Sequence, residues 1–377
     1  RDGRVGGLNA RPAELLTAGG RAAAARRRRT LRQLRSADPD GAARHPGGIT
    51  DALRDAELLA PVLPRLLGEL AAAADPDTAL NNLERYAAAV DRTVFFRTLG
   101  DHPGAVPLLA RVLGSSQVLA DALRRRPSTL AWLLEPATMR LWFAEDLAAD
   151  LAVTLGPFEA RDARMNALRR FKYRHLLRIG ARDLLGDADL AGTVEELSHL
   201  ADACIAQALA EAAATAREAY GAPRGSTAGE TGLAVVAMGK LGGDELNYSS
   251  DVDLMFVYGE DGETAGGRAG RLASGEYFTR VCRELVGLLE EITDEGYVFR
   301  VDLRLRPEGR MGPIVLSLDG YRTYYRERAE LWERQALIKA RIAAGDPVVG
   351  ARYMGLARET AYRPGLEAAL TYRALTV

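Results

Sequence analysis

Residues 234–257 read Ala-Val-Val-Ala-Met-Gly-Lys-Leu-Gly-Gly-Asp-Glu-Leu-Asn-Tyr-Ser-Ser-Asp-Val-Asp-Leu-Met-Phe-Val. An apolar run meets a glycine-rich turn, and a second apolar run follows that carries two aspartates one residue apart. The first run, Leu233–Met238, is short and continuous, as a buried strand is. The second, Asp251–Tyr258, is a strand as well. Alternate side chains of a strand share a face. Asp251 and Asp253 therefore point one way, while Val252 and Leu254 point the other way into a core. Two carboxylates held side by side repel, and a cation between them offsets that repulsion.

Further along, Gly259–Gly270 reads as a loop and Ser274 as the N-cap of a helix running to Thr293, closed by Gly296. A third strand is expected over Tyr297–Leu305, where Val301, Leu303 and Leu305 alternate with Asp302, Arg304 and Arg306 before Pro307 ends it. The region is thus β–turn–β–α–β. If the third strand lies beside the second, Asp251, Asp253 and Asp302 converge. Three carboxylates make a hard-oxygen site suited to Mg²⁺, and two such ions can clamp the attacking and leaving oxygens of a displacement at phosphorus. Arg304 and Arg306 would meet phosphate oxygens, which the guanidinium fork matches.

The first turn adds Gly239, Gly242 and Gly243, which let a backbone approach a phosphate closely. Lys240 supplies a point charge there, although composition alone allows its presence by chance. The spacing is not that of a P-loop, since Leu241 stands where a Ser or Thr is required. The Gly309–Pro313 turn is read either as a second phosphate contact or as a plain turn.

The chain has 377 residues, 47% hydrophobic and 27% charged, with a net charge of −1. That length accommodates two or three domains, and the charge balance argues against a general nucleic-acid binder. Cys204 and Cys282 read as reduced core residues of a cytoplasmic protein. The four histidines show no metal-like spacing. No run of eighteen apolar residues suggests a membrane span. The chain starts at Arg1 without a methionine, as a fragment can.

Four segments are expected. Residues 1–50 form a flexible leader rich in Arg, Ala and Gly, whose basic run Arg26–Arg29 is a solvated arm or a nucleic-acid arm. Residues 51–222 form a helical domain, 229–345 the α+β catalytic core, and 346–377 a C-terminal helical segment. Within the helical domain, Thr78–Leu99 reads as one helix, Gly114-Ser115-Ser116 as a turn with a new N-cap, and Asp162–Leu185 as a long helix. The basic residues of that long helix form either a solvated face paired with neighbouring acids or a surface for phosphate or an acidic partner.

An Asp-x-Asp on an apolar strand, just after a strand–glycine turn and with a later Asp on another alternating strand, resembles the polymerase-beta-type nucleotidyltransferase fold. Gly239-Lys240 departs from that superfamily's usual Gly-Ser or Gly-Gly, which touches the serine–phosphate contact. Longer stretches are similar to the glutamine synthetase adenylyltransferase/adenylyl-removing family: 238–254, Val301-Asp-Leu-Arg-Leu-Arg-Pro-Glu-Gly309, Trp332-Glu-Arg-Gln-Ala-Leu-Ile-Lys-Ala-Arg341, Ala79-Leu-Asn-Asn-Leu-Glu-Arg85 and Leu168-Arg-Arg-Phe-Lys-Tyr-Arg174. The likeness covers roughly residues 76–355.

That family carries two nucleotidyltransferase domains in tandem; one removes AMP from a tyrosine of glutamine synthetase by phosphorolysis and the other adds it from ATP. This chain holds one copy. The 79–85 helix, Arg178-Ile-Gly-Ala-Arg-Asp-Leu-Leu-Gly186 and Asn247-Tyr-Ser-Ser250 are closer to the removing, N-terminal copy; the Arg-Pro-Glu-Gly-Arg turn is shared with the other. The resemblance implies a cytoplasmic, Mg²⁺-dependent enzyme on Asp251, Asp253 and Asp302. Its phosphates would be handled by Lys240, Ser249, Ser250, Arg304 and Arg306, with orthophosphate entering and ADP leaving. It also implies glutamine synthetase as protein substrate and a PII-type signalling protein as partner, with neither nucleic acid nor membrane. The alternatives are adenylylation from ATP and a non-catalytic regulatory or scaffold module.

Overall fold

A computed structural model describes residues 60–225, 231–248 and 251–362. The leader expected over 1–50, Ser249 and Ser250, and the tail beyond 362 lie outside the described residues. The chain divides into two compact units, one holding residues 60–141 with Tyr173–Thr193, the other Trp142–Lys172 with the residues from Val194 onward.

The first unit is built from short helices: α1 Leu63–Ala71, α2 Pro76–Ala87, α3 Arg92–Asp101, α4 Ala105–Ser115, α5 Gln117–Arg125 and α6 Thr129–Leu133. Side-chain caps set several of their starts. Thr78 N donates to Asp75, Val94 N to Asp91, both at 3.0 Å, and Leu119 N to Ser116 at 3.4 Å. The Asp91 cap corrects the single helix expected over Thr78–Leu99. The chain leaves the helix after Ala87 and restarts at Arg92, because Asp91 is extended and offers its carboxylate to the new first turn. At Ser116 the expected turn and cap are present. The apolar face of α4, including Val106, Leu109 and Val112, is fully buried.

Helices α7 Ala144–Leu155, α8 Arg161–Leu185 and α9 Leu190–Tyr220 follow. The expected basic face paired with neighbouring acids is present at Arg164 and Arg170, which pair with Glu211 and Glu295, and is corrected for four other cations of α8. Arg169 and Arg178 are wholly buried, and Lys172 and Arg182 nearly so. A guanidinium carries five donors, and Arg169 spends its donors on the carbonyls of Met165, Leu288, Glu291 and Gly296. Those last three carbonyls end a helix and begin the turn beyond it, where partial negative charge collects. The cation is there to satisfy backbone, not to meet solvent.

The second unit contains β1 Pro223–Arg224, β2 Leu233–Met238, α10 Gly239–Gly242, β3 Asp251–Tyr258, β4 Glu263–Thr264, α11 Ser274–Glu290, β5 Arg300–Asp302, β6 Val315–Ser317, α12 Leu318–Glu327, α13 Leu331–Ala336, β7 Arg341–Gly345 and α14 Pro347–Ala361. Strands β1 and β4 form a small antiparallel pair. The main sheet is mixed. Its order is β5-β3-β2-β7, with β6 also on β3. Strand β2 runs antiparallel to β3 and β7, while β5 and β6 run parallel to β3 along its first and last thirds.

This is the expected α+β class, a mixed nucleotidyltransferase-type sheet within a largely helical chain. Ala234, Val236, Met255 and Val257 on one face pack with Leu318, Tyr321 and Tyr325 of α12 and Val349 and Tyr353 of α14. The Tyr321 hydroxyl donates to the Phe256 carbonyl at 3.1 Å. Every residue of β2 is buried, which is why it reads as an unbroken apolar run. The third strand is shorter than the expected Tyr297–Leu305: it stops at Asp302, because the chain turns at once and Arg306 N donates to the Leu303 carbonyl. Strands β6 and β7 were not expected. Each is very short, and β7, Arg-Ile-Ala-Ala-Gly, lacks both a β-branched run and an alternating face.

Candidate active site

The parallel register of β3 and β5 places Asp251 opposite Arg300, Val252 opposite Val301 and Asp253 opposite Asp302. Alternation then puts Asp251, Asp253 and Asp302 on one face, and the intervening valines on the other. Helix α11 makes the parallel crossover, and its end is fastened to the start of β5. Val298 N donates to the Leu289 carbonyl at 2.9 Å, and Val301 N to the Glu290 carboxylate at 2.8 Å. Arg169 binds the same corner, so a buried cation on α8 helps fix where Asp302 emerges.

The three acids differ in environment. Burial, then the neighbouring Asp302 charge, pushes the Asp253 carboxyl above the usual carboxylate range, with Asp251 adding to the rise and Arg304 and Lys240 opposing it. Arg304 holds Asp302 below that range, through a side-chain hydrogen bond of 2.7 Å and a backbone N–H at 2.8 Å. Asp251 is exposed and accepts from Arg300 Nε at 2.5 Å. Asp253 is therefore the one acid of the three with like charge on both sides and, among the described residues, no ion pair.

The glycine turn abuts Asp253. Gly239 has φ of +56°, and a Cβ there would strike the Asp253 carboxylate. Met238 pairs with Asp253 across the antiparallel ladder, so the turn begins directly beside the acid. Gly242 lets α10 lie against the carbonyls of Ala237 and Lys339. Gly243 is exposed and ends the short helix. Lys240 is exposed, and its charge reaches Asp253.

Arg304 stands at the site on Asp302. Arg306 does not stand free for phosphate: its donors go to the carbonyls of Leu303, Arg310 and Gly312 in its own loop. The expectation that it alternates with Asp302 along a strand is corrected, since the strand has ended by then. Arg306 shapes the loop that carries Arg304 and Arg310, and the Arg310 charge also lowers Asp302.

Among the described residues, no three or more His, Cys, Asp or Glu side chains are gathered closely enough to hold a metal ion. Arg300 and Arg304 hold Asp251 and Asp302 in ion pairs. The donor set nonetheless fits a divalent cation. Asp253 and Asp302 bring carboxylate oxygens together on adjoining strands, and the repulsion between them at Asp253 is what such an ion would offset.

Arg300 and Asp202 belong to the site's surroundings and carry no sequence expectation, whereas Arg310 falls in the Gly309–Pro313 turn and Arg341 ends the 332–341 stretch that carries the family likeness. Arg300 could have carried one, because it shares the Asp302 face by the same period of two. Asp202 gave no signal, being one acid on a long helix. No helix among the described residues is long and apolar enough to cross a membrane.

A family model described as glutamate-ammonia ligase adenylyltransferase matches residues 106–355. A Nitrosococcus oceani protein named bifunctional glutamine synthetase adenylyltransferase/adenylyl-removing enzyme is 40% identical over 293 residues, 76% of this chain and 30% of its own length. Proteins of the same name from Burkholderia pseudomallei and Pseudomonas aeruginosa are 42% identical over 257 residues and 41% over 259, covering 67% and 68% of this chain and 27% and 26% of theirs. The chain thus spans less than a third of the length of these curated relatives.

Proposed function

Because the chain belongs to the glutamate-ammonia ligase adenylyltransferase family, we propose that it catalyses adenylyl transfer on glutamine synthetase, and in the removing direction. The observation that carries this reading is the in-register pair Asp253–Asp302 beside the Gly239 turn. Phosphorus-centred transfer needs positioning and charge neutralisation more than a covalent nucleophile, and this face offers both.

In the proposed reaction an oxygen of orthophosphate bonds to the AMP phosphorus. The bond to the tyrosine oxygen breaks, the phenolate takes up a proton from solvent, and ADP leaves. Asp251, Asp253 and Asp302 would hold Mg²⁺, which when bound supplies Lewis-acid charge to the phosphate oxygens. Asp253, unpaired by arginine, is the acid most ready for it. Lys240 and Arg304 bring positive charge to the phosphates, and the backbone of Gly239, Gly242 and Gly243 lets them come close. Ser249 and Ser250 remain candidates for the same task on sequence grounds. A PII-type signalling protein is the proposed regulator, and the cytoplasm the proposed location.

The removing direction rests on the sequence of 79–85, 178–186 and 247–250. Adenylylation from ATP is the second reading, and the Arg306-Pro-Glu-Gly-Arg310 turn, shared by both copies, does not separate the two. Incubation with adenylylated glutamine synthetase, Mg²⁺ and orthophosphate separates them. ADP release supports removal; AMP incorporation from ATP into unmodified synthetase, with no ADP release, replaces it with addition. Absence of both leaves the scaffold reading.

A further inference from the structure

One cation beneath the glycine turn has no part in the chemistry above. Arg341, the first residue of β7, pairs with Ala237 across the ladder, two residues before Gly239. Its guanidinium reaches under the turn in a fork. Nη1 donates to Asp202 Oδ2 at 2.6 Å, and Nη2 to Asp202 Oδ1 at 3.2 Å and to the Leu241 carbonyl at 2.9 Å. Nε lies 2.9 Å from Asp244 Oδ1.

The anchor is half-buried: Asp202 sits on α9, where partial burial raises its carboxyl and the bonds from Arg341 oppose the rise. Removal of either partner strands the other in a poorly solvated place. Asp244 has φ of +53°, a left-handed conformation uncommon for a residue with a side chain. Such a conformation persists where its surroundings over-determine it, and the Arg341 ion pair is one determinant. Two more ties flank it. Leu246 N donates to Ser198 Oγ of α9 at 3.1 Å, and Lys339 is ion-paired with Glu245.

Residues Leu241–Leu246 are therefore held at four points, three of which fall within reach of β7 and the turn just before it. The consequence for the site passes through Gly239, whose α-carbon lies against the Asp253 carboxylate. A shift of the turn is a shift of the wall beside that acid.

We propose that Arg341, seated on Asp202, is a positioning residue for adenylyl transfer: it fixes the Gly239–Asp244 turn against Asp253. The inference rests on the proposed function. Arg341 touches no reacting atom, so its effect is on the geometry of the transition state and falls on kcat rather than on KM for glutamine synthetase. Misplacement of about 1 Å costs on the order of 10- to 100-fold in rate.

The test uses Arg341→Lys, Arg341→Ala and Asp202→Asn in the full chain, with steady-state kinetics in whichever direction the wild type works and amide hydrogen exchange read by mass spectrometry. The expected result is a kcat about 10- to 100-fold lower in Arg341→Ala and Asp202→Asn, with KM within about 2-fold and partial recovery in Arg341→Lys. Exchange should quicken over residues 239–246 while β2 and β3 keep their protection. Unchanged kcat with unchanged exchange over 239–246 overturns the proposal, and so does quickened exchange across the whole sheet, which would mark a residue of general stability. If the wild type transfers AMP in neither direction, the functional reading fails, and the exchange result alone still decides whether Arg341 holds the turn.

Discussion

Asp253 is the residue on which the site turns, and its environment makes an opposite prediction for stability and for activity. Burial and two like charges raise its carboxyl. A carboxyl raised above its unfolded value favours folding only while protonated, so at neutral pH its charge works against the fold. Asp253→Asn should therefore melt at a higher temperature than the wild type without Mg²⁺, while losing adenylyl transfer; a lower melting temperature would show that the charge is already compensated. Gly239 is constrained twice, by its positive φ and by the carboxylate against its α-carbon. Gly239→Ala should cost about 1–2 kcal/mol in urea unfolding from the backbone alone, and should lower transfer further by moving Asp253. The sequence made both residues legible because a period of two and a positive-φ turn are local rules. It did not reveal that Arg306 closes its own loop, because the chain's turn after Asp302 depends on carbonyls up to Gly312.

Helix α8 and strand β7 depart from what their own residues suggest. A helix with eight Lys and Arg residues reads as a solvent face, yet Arg169, Lys172 and Arg178 are buried. The periodicity of charge along a helix is silent on which carbonyls await it elsewhere, and Arg169 answers carbonyls well over a hundred residues away. Strand β7 was missed for a related reason: its pairing with β2 supplies the extended conformation that its own residues do not prefer. Strands β2 and β3, by contrast, are written in uninterrupted apolar text. Lys172 gives this scale its pH dependence. Burial lowers its ammonium to about 8, over the rings of Tyr297 and Phe299 at 5.7 and 5.5 Å. A lysine whose folded value lies below its unfolded one opposes folding fully below about pH 8, and that penalty disappears as pH rises toward the ordinary lysine value. Lys172→Met should therefore raise the melting temperature at neutral pH, and the gain should shrink by about pH 10. An equal gain at both values would assign the effect to packing instead.

Among the described residues of the whole molecule, helices accompany a mixed sheet, one face of which carries three acids, with Lys240, Arg300, Arg304 and Arg310 near them and a glycine turn alongside. The family it belongs to accounts for residues 106–355, so the site falls well inside the matched region. If Mg²⁺ binds the acid face, millimolar Mg²⁺ should raise the melting temperature of the wild type and EDTA reverse it. Asp253→Asn and Asp302→Asn should abolish the shift; a shift that survives both substitutions would locate the ion elsewhere. Whether these acids run adenylyl transfer is decided by measuring ADP release from adenylylated glutamine synthetase and orthophosphate, with Mg²⁺, for the wild type, Asp253→Asn and Asp302→Asn side by side. ADP is expected from the wild type, with a loss of at least about 100-fold in both variants. Wild-type rates in either variant, or no ADP from any of the three, would contradict that role for the acids.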